Sequence, residues 1–249
     1  IEQLQERTGL SRYALKILLE ASLSAGTVLI DADTDKYSIS KTGWFLLTDE
    51  ATQANMNLNH DVNYRGMFYL EESLKEGRPV GLKTLGDWPT IYEGLSQLSL
   101  QVQKSWFGFD HFYSDHSFDE ALEIVFSKHT RRLMDVGGNT GRFALRCVDY
   151  APDVNVTIVD LPGQIGMMKK NIEGKNGAER ISAFPMNVLD ERNSFPEGEW
   201  DAIWMSQFLD CFSEDEIFSI LSRAAKVMSK NTTLYIMETF WNRQKYEPA

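Results

Sequence analysis

Leu133-Met134-Asp135-Val136-Gly137-Gly138-Asn139-Thr140-Gly141 is the stretch that decides the fold. An apolar run over 132–136 reads as a buried strand, and the run through residue 150 reads as a helix. The bend between them holds Gly137, Gly138 and Gly141, which let a backbone turn tightly and approach a ligand closely. Asn139 stands among them, and asparagine tolerates the left-handed conformation better than most residues. Outward from this bend, strands are predicted at 155–160, 181–184, 201–206 and 232–238, and helices at 163–172 and 213–229. Ser213 and Glu216 have capping-box spacing, which starts the last of these helices. Strand–helix alternation argues for an α/β domain with a parallel sheet covered on both faces, doubly wound and Rossmann-like, with its ligand at the carboxyl ends of the strands.

Two ligand classes share such a bend. A dinucleotide presents a pyrophosphate, which wants bare amides at a helix N-terminus. S-adenosylmethionine presents an ammonium, a carboxylate and a sulfonium. Asp135, two residues before the first glycine, repels a pyrophosphate and attracts an ammonium, and the spacing is GGxxG rather than GxGxxG. Asp160 ends the second strand, 19 residues after Gly141, at the distance of a ribose-binding acid. S-adenosylmethionine is therefore the expected cofactor, against a nicotinamide or flavin dinucleotide and against a glycine turn without a ligand.

The rest of the chain frames this domain. Residues 1–48 read as helix, turn, helix and hairpin, with Ser11 as an N-cap, an apolar stripe of Leu15, Leu18, Leu19 and Leu23, and a strand–loop–strand signal at 28–39. Residues 49–128 read as mostly helical, and residues 129–249 as the ligand-binding domain. The net charge of −11 disfavours nucleic acid and anionic membranes as partners. No apolar run approaches the length of a membrane span, and two cysteines form neither a disulfide framework nor a zinc site, so no metal and a cytoplasmic location are expected. A fifth strand close to the end and an N-terminus without Met read as a chain truncated at both ends.

Residues 133–141 resemble motif I of class I methyltransferases, and the order of the whole chain resembles the small-molecule O-methyltransferases that carry a winged-helix dimerisation domain. Tyr37-Ser38-Ile39-Ser40 is similar to the family's wing, Tyr113-Ser114-Asp115-His116-Ser117 to a segment beside its cofactor pocket, and Val156–Pro162 to its second-strand motif. The resemblance implies methyl transfer, most simply to oxygen, on a small-molecule acceptor by a homodimer. It implies that Asp160 binds the ribose, Leu161 packs near adenine, Asn187 stands where an Asp usually reads the adenine amino group, and Phe212 covers adenine. Val188 and Ser206 complete the expected cofactor set with Asp135, Gly137, Gly138 and Gly141.

The catalytic position departs from the family. Its general base is a His after the fourth strand, and in Ser206-Gln207-Phe208-Leu209-Asp210-Cys211-Phe212-Ser213 that position is Asp210. His60, His111, His116 and His129 all lie elsewhere in the sequence. Glu238, at the end of the fifth strand, falls where an acid commonly orients the His. Asp210 and Glu238 are thus the expected catalytic pair, and burial of both would raise one pKa toward neutrality. Two competing readings follow: a relative that binds the cofactor for decarboxylation or hydroxylation, and a winged-helix regulator of DNA. The second is disfavoured because the helix from Ser11 carries only Arg12 and Lys16 as basic residues before Glu20.

Overall fold

The computed structural model describes residues 1–240 and residue 243. The chain divides into two compact units, residues 1–59 and the residues from 60 onward.

The first unit has helices α1 (Glu2–Thr8), α2 (Arg12–Ser24), α3 (Lys41–Thr48) and α4 (Glu50–Leu58), and strands β1 (Val28–Ile30) and β2 (Tyr37–Ile39). The Ser11 hydroxyl accepts the Ala14 N–H at 3.1 Å, the expected N-cap of α2. Strands β1 and β2 pair antiparallel. Asp31 shapes the turn between them, one carboxylate oxygen accepting the N–H groups of Asp33 and Thr34 at 3.1 and 2.8 Å. Leu15 is buried in the unit, whereas Leu18 on the same helix is 53% exposed. Tyr13, Leu29, Ile30, Trp44, Phe45 and Leu47 are exposed as well.

The second unit opens with helical segments that include α5 (Leu70–Glu76), α6 (Leu100–Asp115) and α7 (Phe118–Val125). Then come β3 (Arg132–Val136), α8 (Arg142–Tyr150), β4 (Asn155–Asp160), α9 (Pro162–Ile172), β5 (Ile181–Pro185), β6 (Ala202–Ser206), α10 (Glu214–Lys226) and β7 (Thr233–Met237). The strands form one parallel sheet in the order β5-β4-β3-β6-β7. This is the doubly wound α/β architecture expected from the sequence, and its strand ends fall within a residue or two of expectation. The Ser213 capping box opens α10: the Glu216 carboxylate accepts the Ser213 N–H at 2.8 Å while the Ser213 hydroxyl accepts the Glu216 N–H.

Period-two alternation in β3 sorts its side chains. Leu133 packs on the face covered by Phe143, Ala144 and Cys147 of α8, while Met134 and Val136 pack on the opposite face with Ile203, Met205 and Ile220. Asp135 shares Leu133's face and is 2% exposed, so the strand carries a carboxylate into an apolar layer. After β3 the chain winds outward through β4 and β5, then crosses back to place β6 on the other side of β3. The carboxyl ends of β3 and β6 flank this switch point, where a crevice opens in open α/β sheets. No helix among the described residues is long and apolar enough to cross a membrane.

Candidate functional site

The bend after β3 has the geometry its residues dictate. Gly137 turns with φ 75°, and a Cβ there would run into the Phe208 ring. At Gly138 a Cβ would come within 2.8 Å of both Asp135 Oδ2 and Ile158 Cγ2, so only glycine lets the loop close over the carboxylate. Asn139 takes the left-handed conformation expected of it, at φ 50°. Gly141 caps α8.

Asn139 also organises the site. Its N–H donates to Asp160 Oδ2, its Nδ2 donates to Asp110 Oδ2, and its Oδ1 accepts from Gln164 Nε2, each at 2.9 Å. The other oxygen of Asp160 accepts the Leu161 N–H at 2.7 Å. Each Asp160 oxygen keeps a lone pair beyond these bonds, so two ribose hydroxyls can still donate to it. Burial pushes the Asp160 carboxyl up to about 6 against the two backbone hydrogen bonds that favour its charge. Burial, and then the neighbouring charge of Asp160, pushes Asp135 up to about 7.

At the switch point a cavity is lined by Asp135, Gly137, Gly138, Asn139 and Thr140 after β3, by Ser206 and Gln207 after β6, and by Asp110, His111 and Ser114 of α6. Two buried acceptors in it, Asp135 Oδ2 and Gln207 Oε1, have no hydrogen-bond partner among the described residues. Gln207 is held in a left-handed conformation, φ 47°, with its N–H donated to the Met237 carbonyl at 3.0 Å. Unmet buried acceptors beside a carboxylate fit a cationic group with several N–H donors, and an ammonium is such a group. With Asp160 at the next strand end, the residues present fit an amino acid tail joined to a ribose.

Asp110, His111 and Gln207 were not singled out from the sequence, whereas Ser114 lies in the Tyr113–Ser117 segment that was. Phe107, Asp110, His111 and Ser114 recur at the 3,4-spacing of one helix face, and polar residues on a stripe that also carries the buried Phe107 are the signal that marks them. Asp110 is pushed up to about 6, mainly by burial and partly by the charges of Asp210, Asp115 and Glu238, against the hydrogen bond from Asn139. The His111 ring nitrogen Nε2 sits 3.0 Å from Thr140 Oγ1, and burial drives its pKa down to about 4, so the imidazole is neutral near pH 7. The Gln207 signal was only its place after β6.

The remaining expected residues separate. Phe212 is buried, edge-on to Tyr92 and Phe208 at centroid distances of 5.2 and 5.0 Å. Leu161 packs against the core that contains Phe212. Val188 is fully buried in that same core, its carbonyl held by the Arg223 guanidinium. Asn187 Oδ1 accepts the Leu189 N–H at 2.9 Å and its Nδ2 donates to Glu93 Oε1 at 3.2 Å, which fixes the amide and leaves its oxygen one lone pair.

At the turn after β6, Glu238 Oε1 accepts the N–H groups of both Phe208 and Leu209 at 2.8 Å. Glu238 thereby fixes the one-turn helix Leu209–Cys211 that carries Asp210. Burial pushes Glu238 up, these two bonds pull it down, and the Asp210 charge adds a smaller upward push. Asp210 itself is exposed. The two acids therefore do not form the buried pair the sequence reading required for a repulsion-driven base. Among the described residues no group of histidine, cysteine and carboxylate side chains could hold a metal ion.

Comparison with known proteins sets this geometry in context. Residues 1–37 match the Dimerisation2-like domain, and residues 112–249, more than half of the chain, match the O-methyltransferase domain. The chain is 27% identical over 165 residues to demethylspheroidene O-methyltransferase of Rhodobacter capsulatus, covering 65% of this chain and 40% of that protein. It is 24% identical over 233 residues to norreticuline-7-O-methyltransferase of Papaver somniferum, covering 92% of this chain and 60% of that one. The chain thus spans between two- and three-fifths of the length of these relatives. A solved structure of PigF with SAH superposes with a TM-score of 0.80 at 18% identity, over 100% of this chain and 73% of that one, which shows the shared fold. The chain belongs to the O-methyltransferase domain family.

Proposed function

We propose that the chain binds S-adenosylmethionine and transfers its methyl group to a small-molecule acceptor, most simply to oxygen. The observation that carries this reading is a pair of buried acceptors, Asp135 Oδ2 and Gln207 Oε1, without a partner among the described residues, in a cavity at the switch point. S-adenosylmethionine supplies, when bound, a methyl group already activated on a sulfonium. Asp135 and Gln207 would receive the ammonium, Asp160 the ribose hydroxyls, and Phe212 and Leu161 would flank the base. Asp110, through Asn139, ties α6 to the cofactor loop. Glu238 acts as a positioning residue that holds Asp210, and Asp210 would take the acceptor's proton. An exposed carboxylate is a weak base for a phenol, so alignment of acceptor and methyl must supply much of the acceleration. Asp110, Asp210 and Glu238 feel one another's charge, which favours a neutral or cationic acceptor over an anionic one.

The test is calorimetric titration with S-adenosylhomocysteine, followed by an acceptor screen that measures release of S-adenosylhomocysteine from S-adenosylmethionine. Binding with release supports the reading. Binding, with turnover of an acceptor but no release, would favour non-methylating chemistry, a reading that the exposed Asp210 in place of a histidine keeps in play. Absence of binding overturns both.

The exposed apolar side chains of the first unit, Tyr13, Leu18 and Trp44 among them, and its match to the Dimerisation2-like domain support assembly with a second copy of the chain. Light scattering should give a dimer mass, reduced toward a monomer by Trp44→Glu. Two unpaired cysteines suit a reducing, cytoplasmic compartment.

A further inference from the structure

Asn187 has one lone pair of its amide oxygen already taken, and what remains there is a neutral acceptor. It follows β5, the strand beside β4, and the Met186 N–H donates to the Asp160 carbonyl at 2.8 Å, so Asn187 stands at the nucleoside end of the site. Its Oδ1 is held by the Leu189 N–H and its Nδ2 by Glu93. The base of an adenosine presents an exocyclic amino group with two N–H donors and wants an acceptor there. The acceptor brought to this place is the Glu93 carboxylate. Oε1 takes the Asn187 amide, which leaves Oε2 for a ligand.

Glu93 arrives on a one-turn helix, Ile91–Gly94, that is built into the nucleoside end. Tyr92 is 3% exposed and packs edge-on against Phe208 and Phe212 at 5.8 and 5.2 Å. Ser96 lies against the start of α9, so close that a Cβ at Gly163 would come within 2.7 Å of the Ser96 Cβ. Gln97 Nε2 donates back to the Glu93 carbonyl at 3.2 Å. The segment is therefore seated against the residues that follow both Asp160 and β6.

We propose that Glu93, held by Asn187, reads the adenine amino group and so sets the base specificity of the cofactor site. The inference rests on the cofactor reading above. It places the acidic reader on the helical segment before the sheet domain rather than on the strand end.

The experiment is calorimetric titration of the protein with S-adenosylhomocysteine and with its 6-deamino analogue, in which hydrogen replaces the amino group. The wild type should prefer S-adenosylhomocysteine by about tenfold, the size of one hydrogen bond to a charged group. Glu93→Leu should bind both ligands alike, with the deamino analogue bound as by wild type. Adding Asn187→Asp to Glu93→Leu should restore the preference, because a carboxylate then stands at the strand end without a like charge against it. A preference that survives in Glu93→Leu overturns the proposal. Loss of both ligands in Glu93→Leu also overturns it, since Glu93 then only holds the segment. Failure of the wild type to bind S-adenosylhomocysteine would remove the cofactor reading and this inference together.

Discussion

The ends of β3 and β4 and the turn after β6 are both acidic, and they are built in opposite ways. Asp135 and Asp160 are buried, their pKa values raised, and one Asp135 oxygen has no partner among the described residues. The one-turn helix that carries Asp210 is held from within: Glu238 receives two backbone N–H groups, and Asp210 is exposed. The first region bears an electrostatic cost that a cationic ligand would remove. The second is anchored by the fold and presents its acid to solvent. Under the proposed function, cofactor recognition would be preorganised more tightly than proton transfer, which accords with a reaction whose electrophile arrives already activated.

The comparison can be broken most easily at Glu238. Glu238→Ala leaves two backbone N–H groups without an acceptor and should cost about 2–4 kcal/mol in chemical denaturation, with activity falling in parallel. Glu238→Gln keeps an acceptor and should recover most of that stability. An unchanged midpoint for the alanine variant would show that the turn does not depend on this side chain.

The next effect is in pH. Asp135 and Asp160 have folded-state values above the ordinary carboxylate range, so the folded protein holds protons that the unfolded chain has already released. Stability of the ligand-free protein should fall as pH rises from about 4 to about 7 and level off above. Asp61 and Asp190 act oppositely: held down to about 2 by hydrogen bonds first, from Ser105 and Arg192 respectively, they lose their stabilising contribution as pH drops below about 4. Asp135→Asn should flatten the upper limb and raise the melting temperature near pH 8 by a few degrees, of the order expected for about 1–2 kcal/mol in a domain of this size. A melting temperature that rises with pH across that window would contradict the burial argument.

The smallest effect is expected at Asp210. Exposed, with the Cys211 thiol as a weak donor to its Oδ1 at 3.7 Å, it should tolerate Asp210→Asn with a stability change within about 0.5 kcal/mol. If it accepts the acceptor's proton, kcat should fall by about tenfold or more while KM for the cofactor holds. Full activity would remove Asp210 from the mechanism and turn attention to Asp110.

What could be read from the sequence follows from how locally each feature is encoded. The Asp135–Gly141 bend, Asp160 and the Ser213 cap are each written within a few residues, and each stands where expected. The left-handed Asn139 was legible for the same reason. Asp110 and Glu93 were not, because they reach the site from segments tens of residues away and their significance depends on meeting Asn139 and Asn187. The exposure of Asp210 was hidden too: its sequence position on the family's histidine said nothing about how far the turn projects. Glu238 was legible as an acid at a strand end, but its bonding to two N–H groups is a tertiary fact.

The central claim is that the buried Asp135 oxygen receives an ammonium. Calorimetric titration with S-adenosylhomocysteine and with its analogue lacking the α-amino group, on wild type and on Asp135→Asn, tests it most directly. Wild type should bind the amino-bearing ligand about 100-fold more tightly, as for a charge pair formed in a buried site, and Asp135→Asn should lose most of that discrimination. Equal affinity of wild type for the two ligands, or full discrimination retained by Asp135→Asn, would contradict the claim.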